Sequence, residues 1–258
     1  DFYFGHLMSA MIEVIDLYKS FNSYKVLRSV SLKVEKGQIL ALIGGSGKGK
    51  SVLLKHIMGM MKQDSGQVLV DNQEVRRLRG KALRRLKERF GIVFQGGALF
   101  DSMTVFDNVA FPLREKTKMK SSEIRVAVLK ELARVGLSGA ENKYPAEISG
   151  GMKKRVALAR CLIMHPEIVL FDEPTTGLDP LMGKAIHNLI RECQKSLHFT
   201  AIIVTHEIPA IFSIVDKVAM LYEGKIIAVG TPEEIQASKD PVIHQFIYGE
   251  LEGPISVK

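Results

Sequence analysis

The chain has no tryptophan and only two cysteines among its 258 residues. Cys161 and Cys193 show neither metal-type spacing nor a tandem pair, which excludes a disulfide scaffold and a thiolate metal site. Two reduced thiols inside a cytoplasmic protein are the expectation. The seven histidines likewise show no paired ligand spacing. Long apolar runs are missing too. The longest, such as Ile39–Ile43 and Ala201–Val204, are strand-sized, well short of the roughly 18–20 residues of a membrane span. Asp1–Ala10 lacks the basic start and long apolar stretch of a signal peptide. We set residues 1–10 aside as a tag or disordered N-terminus, with Met8 or Met11 as the natural start. No internal repeat or low-complexity linker is visible.

What is present is ordinary globular material, 46% hydrophobic and 25% charged. At this length it suits one large domain, or a domain with a subdomain. The net charge of +8 raises the question of nucleic acid or an anionic membrane. Much of the excess lies in Arg76–Arg89, where Leu78, Leu83, Leu86 and Phe90 interleave with Arg and Lys. That spacing predicts a helix with one apolar stripe and a solvated basic face. A role beside lipid headgroups or nucleic acid is the alternative.

Along the chain, Met11–Val34 alternates and carries Tyr18, Phe21 and Tyr24, which predicts antiparallel strands. Gln38–Ile43 is a continuous apolar strand, followed by a helix over Ser51–Met61. Short strands are expected at Gln67–Val70 and Gly91–Phe94, with a hairpin-like turn at Asp71-Asn72-Gln73. Helical spacing returns at Ser121–Val135, where Gly136 is a plausible C-cap, and at Met152–Leu162. Further strands fall at Ile168–Phe171, Ala201–Val204, Val218–Leu221 and Ile226–Val229. Strands alternating with helices imply an α/β fold with a parallel sheet core. The stretch from about 96 to 160 reads as a helical insertion beside it.

Three features carry chemistry. Gly44-Gly45-Ser46-Gly47-Lys48-Gly49-Lys50-Ser51 fits the phosphate-binding loop G-x-x-x-x-G-K-[ST]. Its glycines let successive N–H groups point inward. Lys50 is placed to reach the β- and γ-phosphates, and the Ser51 hydroxyl to meet Mg²⁺. Ser149-Gly150-Gly151-Met152, at a helix start, offers further bare N–H groups to an anion. The apolar run Ile168–Phe171 delivers two carboxylates. Asp172 would hold Mg²⁺ through water, and Glu173 would orient and polarise an attacking water. ATP sandwiched between two copies would use all three features. No Asn-Lys-x-Asp motif is present, which argues against GTP.

Taken together, these residues resemble the ATP-binding-cassette (ABC) ATPases, from about Ile12 to Ser238 and in the family's motif order. Ile148-Ser149-Gly150-Gly151-Met152 is similar to the signature L-S-G-G-Q, with Ile for Leu and Met for Gln. The resemblance implies a P-loop NTPase sheet core over 11–240, with an antiparallel β subdomain, the helical insertion and a tail at 241–258. It implies ATP and Mg²⁺, and a signature that closes over ATP held by a second copy. Gln95 takes the place of the Q-loop glutamine, a Mg²⁺ or water contact that senses the transmembrane partner. Thr176-Gly177-Leu178-Asp179 resembles the D-loop. His206 resembles the switch histidine on the γ-phosphate. Phe21 takes the place of the aromatic that stacks on adenine, with Tyr24 as runner-up. Val52 replaces a frequent Thr, leaving its backbone N–H for the phosphate.

The stretches Gln95–Asp101 and Val105–Glu115, with Gln245–Ile247 through Gly253-Pro254, resemble the ATPase subunits of MCE-associated, Mla-type phospholipid transporters. That resemblance implies permease subunits, an MCE-domain protein, and a peripheral place on the cytoplasmic side of the inner membrane. Leu99, Phe100, Val105, Phe106 and Phe111 would form the edge of a groove for a permease helix. An importer for amino acids or other small solutes is the main rival. Soluble ABC proteins of DNA repair or translation usually carry a long coiled coil or two cassettes, and this chain has neither, so no nucleic-acid partner is expected. A small-molecule kinase would leave Ser149, Gly150, Gly151 and His206 unexplained.

Overall fold

Alternating apolar residues build the first sheet of the computed structural model, which describes residues 10–256. Strand β1 (Ala10–Phe21) buries Ile12, Val14 and Leu17, and β2 (Tyr24–Glu35) buries Val30, Leu32 and Val34. These residues face each other as antiparallel partners: Ile12 with Val34, Val14 with Leu32, Leu17 with Val30. β1 begins at Ala10, so the last residue of the stretch set aside as a tag belongs to the sheet; residues 1–9 lie outside the described residues. β4 (Ser65–Val70) pairs with β1 on its other edge and with β5 (Gln73–Glu74). The turn between β4 and β5 uses Asp71 and Asn72 at φ 50° and 60°, the left-handed pair a tight hairpin favours.

The chain divides into two compact units, residues 1–87 with 200–258, and residues 88–199. The first also holds β3 (Ile39–Ile43), β8 (Thr200–Val204), β9 (Lys217–Tyr222) and β10 (Lys225–Gly230). β3 runs parallel to both β8 and β9 and is wholly buried, which explains its uninterrupted apolar sequence. β10 turns back antiparallel on β9. Only Glu223 and Gly224 join them, too few residues for a parallel crossover. Helix α1 (Lys50–Ile57) leaves β3 through the glycine loop, and α2 (Gly80–Glu88) follows the first sheet. Helices α7 (Pro232–Gln236) and α8 (Pro241–Tyr248) complete this unit.

The second unit pairs β6 (Phe90–Val93) with β7 (Ile168–Asp172) in parallel. Its helices are α3 (Val105–Lys116), α4 (Ser121–Arg134), α5 (Gly150–Leu162) and α6 (Pro180–Leu197). Val105, Val109, Val128, Leu132, Val156 and Leu158 form the core among them. The motif-led reading passes over α6, although its buried Ile186, Leu189, Ile190 and Cys193 have helical spacing. Gly136 follows α4 at φ 69°, and the N–H of Leu137 reaches the Leu132 carbonyl at 2.8 Å, the C-cap geometry its position predicts. Burial pushes the Cys161 thiol up to about 12 and Cys193 up to about 11, so neither offers a thiolate near neutrality. Among the described residues, no helix is long and apolar enough to cross a membrane.

Candidate nucleotide site

In the first unit the site starts where β3 ends. Gly44 has φ 143°, and a Cβ there would stand 2.1 Å from the Leu221 carbonyl oxygen. Gly47 and Gly49 have φ 70° and 104°. Gly49 is the N-cap of α1, so the loop opens directly onto free N–H groups at a helix start. The buried Lys50 ammonium donates to the carbonyls of Gly44 at 2.6 Å and Gly45 at 2.8 Å. It is therefore already drawn into the loop that would wrap a phosphate. Ser51 is exposed in the first turn of α1, and Val52 accepts through its carbonyl from the His56 ring at 2.8 Å.

His206 belongs to the same unit and the same sheet edge. β3 and β8 are parallel neighbours in register, with Leu42 opposite Val204. The glycine loop starts two residues after Leu42, and His206 lies two residues after Val204. Both therefore leave the carboxyl ends of adjacent strands, the position where open α/β sheets bind ligands. The histidine is exposed. Its turn is fixed by the Glu207 N–H donating to Thr205 Oγ1 at 3.0 Å.

Both aromatics of the β1–β2 hairpin tip are exposed, Phe21 by 42% and Tyr24 by 64%. Phe21 has the Lys19 ammonium 5.4 Å from its ring centroid. A cavity of about 470 Å³ beside the loop tip is lined by Tyr24, Lys25, Arg28, Gly47, Lys48 and Glu223, among others. Tyr24, the runner-up in sequence, is thus the aromatic on the cavity wall, because the hairpin turn carries it toward Gly47.

The second unit holds the other motifs. β7 buries Ile168–Phe171 and brings Asp172 to its end. Glu173 follows at φ 53°, a strained position for a non-glycine residue, with Thr176 donating its hydroxyl to the carboxylate at 3.2 Å. Asp179 caps α6, accepting from the N–H groups of Leu181 and Met182 at 3.1 and 3.0 Å. Ser149 caps α5, accepting from the Met152 N–H at 3.2 Å. That leaves Gly150 and Gly151 in the first turn without side chains over their N–H groups. A Cβ on Gly151 would stand 2.7 Å from Met182 Cε, and one on Gly150 3.5 Å from Leu178 Cδ2. The signature and the D-loop-like turn are therefore packed together.

Gln95 is exposed just beyond β6. Three side chains hold its loop, and the motifs did not single them out. Lys154 of α5 donates to the Gln95 carbonyl. Arg160 donates to the carbonyls of Gly97 at 2.6 Å and Ala98 at 2.8 Å. The fully buried Asn108 donates to the carbonyls of Phe100, Met103 and Thr104 and accepts from the Phe100 N–H at 2.9 Å. A lone Asn inside the apolar run of α3 was the available signal, since a buried amide must be satisfied. The helix that starts at the signature thus also clamps the glutamine loop.

A second cavity, about 540 Å³, is lined by Glu88, Phe90, Phe94, Phe100, Phe111 and Met164, among others. Of the five residues expected on a groove edge, Phe100 and Phe111 are there, with ring centroids 4.9 Å apart. Val105 is instead core, and Phe106 lines two smaller cavities beside Arg125. On a helix at about 100° per residue, 106 and 111 point about 140° apart, so Phe106 faces away from Phe111.

This loop, on this parallel sheet, defines a P-loop nucleotide-binding protein of the α/β class. The ABC transporter family profile matches residues 27–176. The chain belongs to the ABC transporter family. It is 42% identical over 253 residues, 98% of its length and 70% of the other's, to the protein named "Probable ribonucleotide transport ATP-binding protein mkl" of Mycobacterium tuberculosis. It is 41% identical, over 96% of its length and 94% of the other's, to the intermembrane phospholipid transport system ATP-binding protein MlaF of Haemophilus influenzae. Among solved structures, cbiO1 of Clostridium perfringens, part of the ABC transporter complex cbiONQ, matches with TM-score 0.83 at 35% identity, covering 92% of this chain and 94% of that one. The ATP-binding cassette MJ0796, as a post-hydrolysis dimer bound to ADP and Pi, matches with TM-score 0.76 at 29% identity, covering 86% and 99%.

Proposed function

We propose that this chain is the ATP-hydrolysing subunit of a phospholipid transporter of the Mla type, peripheral on the cytoplasmic face of the inner membrane. Two copies would work head to tail beneath a permease, with an MCE-domain protein as a further partner. The observation that carries the reading is that one chain holds two helix starts bare of side chains over their N–H groups, after the Gly44–Ser51 loop and at Ser149 of α5, each suited to a phosphate. Neither can use the other's ligand within the sandwich the family resemblance implies, so a second copy is required.

In this reading the loop N–H groups from Gly45 to Ser51 and Val52 wrap the phosphates. Lys50 exchanges the carbonyls of Gly44 and Gly45 for β- and γ-phosphate oxygens. Hard oxygen donors suit Mg²⁺: the Ser51 hydroxyl, the Asp172 carboxylate through water, and Gln95. Held by these residues, the ion would supply positive charge to the phosphates. Glu173 polarises the attacking water and His206 steadies the γ-phosphate. The partner copy contributes its signature N–H groups at Ser149, Gly150 and Gly151, with Met152 beside them and Asp179 at the dimer interface. Phe21 or Tyr24 stacks on adenine. Because Lys154 and Arg160 tie the glutamine loop to α5, nucleotide contact at the signature can move the rim of the 540 Å³ cavity, where a permease helix would dock. MlaF's near-complete coverage at 41% identity supports phospholipid as cargo.

A small-solute transporter is the second reading, favoured by the mycobacterial relative named for ribonucleotide transport. Purification from native membranes, with identification of partners and bound lipid, separates the two. A permease with an MCE-domain protein and phospholipid is expected. A soluble solute receptor in their place would overturn the lipid assignment.

A further inference from the structure

Nearly all of the chain's net charge sits in one short segment. Residues 76–89 hold eight of the 36 basic residues and a single acidic one, Glu88, so they account for +7 of the +8. The remaining chain is close to neutral. The helix expected across the whole segment forms only at Gly80–Glu88, as α2; Val75–Arg77 is a single 3-10 turn and Leu78 is extended. On α2, Leu86 is buried and Leu83 packs toward Gly59, where a Cβ would meet Leu83 Cδ1 at 2.9 Å. The apolar stripe is thus used up against its own unit. Lys81, Arg84, Arg85 and Lys87 are all exposed, and among the described residues their side chains form no ion pair. Arg77, by contrast, is paired with Glu74, and Arg89 with Glu167.

We infer that the basic face of α2 lies on anionic phospholipid headgroups of the membrane in which the permease sits. The inference rests on the transporter reading. Three observations favour this occupant. Four long exposed cations, Lys81, Arg84, Arg85 and Lys87, against a single carboxylate on the helix, Glu88 at its end, complement a negative surface. Residues 76–89 include no aromatic side chain, so the stacking platform of a single-strand nucleic-acid binder is missing. The last residue of α2, Glu88, is also among the residues that line the cavity assigned to permease docking.

The test is flotation of the purified full-length chain with phosphatidylcholine vesicles, with and without phosphatidylglycerol, beside an R84Q/R85Q/K87Q variant. Glutamine keeps helix propensity, and circular dichroism checks the fold. The wild type is expected to float with phosphatidylglycerol vesicles only, and to be released by salt. Each charge removed should weaken binding about fivefold, so the triple variant loses roughly a hundredfold while its Mg-ATP hydrolysis is unchanged. Equal binding by the variant, no vesicle binding by the wild type, or tighter binding to a duplex oligonucleotide than to the vesicles would overturn the inference. Failure of the transporter reading has a different signature: no permease is captured from membranes, whatever the vesicles do.

Discussion

Gly44 stands so close to Leu221 that any Cβ would lie 2.1 Å from the Leu221 carbonyl oxygen. Backbone on both sides leaves nothing to give way, and φ at Gly44 is 143°. Gly44→Ala should therefore cost about 2–4 kcal/mol in denaturant melts, as strained φ and a backbone clash combine. A variant as stable as the wild type would remove the close approach from the account.

The Lys50 ammonium reaches inward, onto the carbonyls of Gly44 and Gly45. Lys50→Ala should weaken ATP binding roughly 10- to 100-fold, from the 1.5–3 kcal/mol of a charged hydrogen bond. Titration with a fluorescent ATP analogue measures it; unchanged affinity would contradict the loop assignment.

Glu173 and Ser149 divide hydrolysis from closure. Glu173→Gln should bind Mg-ATP, accumulate as a dimer in size-exclusion chromatography, and hydrolyse about 10²- to 10⁴-fold more slowly, the usual worth of a general base. Ser149→Asp keeps an N-cap acceptor, so its melting temperature should hold, but its charge would repel the triphosphate and suppress dimer formation. Normal turnover in the first, or normal dimerisation in the second, would remove that residue from its role.

Phe21 and Tyr24 make opposite claims on adenine. If the ring on the 470 Å³ cavity wall is the stacking partner, Tyr24→Ala weakens ATP binding by about 1–2 kcal/mol and Phe21→Ala does not. The reverse order restores Phe21, the residue that family resemblance favours.

Glu131 supplies the pH dependence. Burial among the helices pushes its carboxyl up, opposed by Arg134, whose Nε lies 3.2 Å away. A folded-state value above the unfolded one means that its contribution is fully present below the unfolded range and is lost as pH rises through the folded value. Glu131→Gln has no such loss. The melting temperature of the variant relative to wild type should therefore be higher at pH 7 than at pH 5, and an equal difference at both would show that the carboxyl is not perturbed.

Much of the fold was legible because its signals are local. β3 and β7 are buried on both faces, so their sequences are unbroken apolar runs. Asp71-Asn72 and Gly136 mark turns because few residues accept positive φ. The reading faltered where face matters more than pattern. Val105 and Phe111 are equally apolar, yet one is core and the other lines a cavity. Lys154, Arg160 and Asn108 were silent as motifs because their partners are backbone carbonyls, which any sequence supplies.

By itself the sequence determined the phosphate loop, the acidic strand end, the serine-glycine helix start and the basic segment, since each depends on residue type at fixed spacing. Tertiary structure alone decided which hairpin aromatic faces the cavity, that His206 leaves the sheet beside the glycine loop, and that α5 grips the glutamine loop. Those depend on strand register and helix facing. Both are set by burial across the whole core rather than by neighbours along the chain.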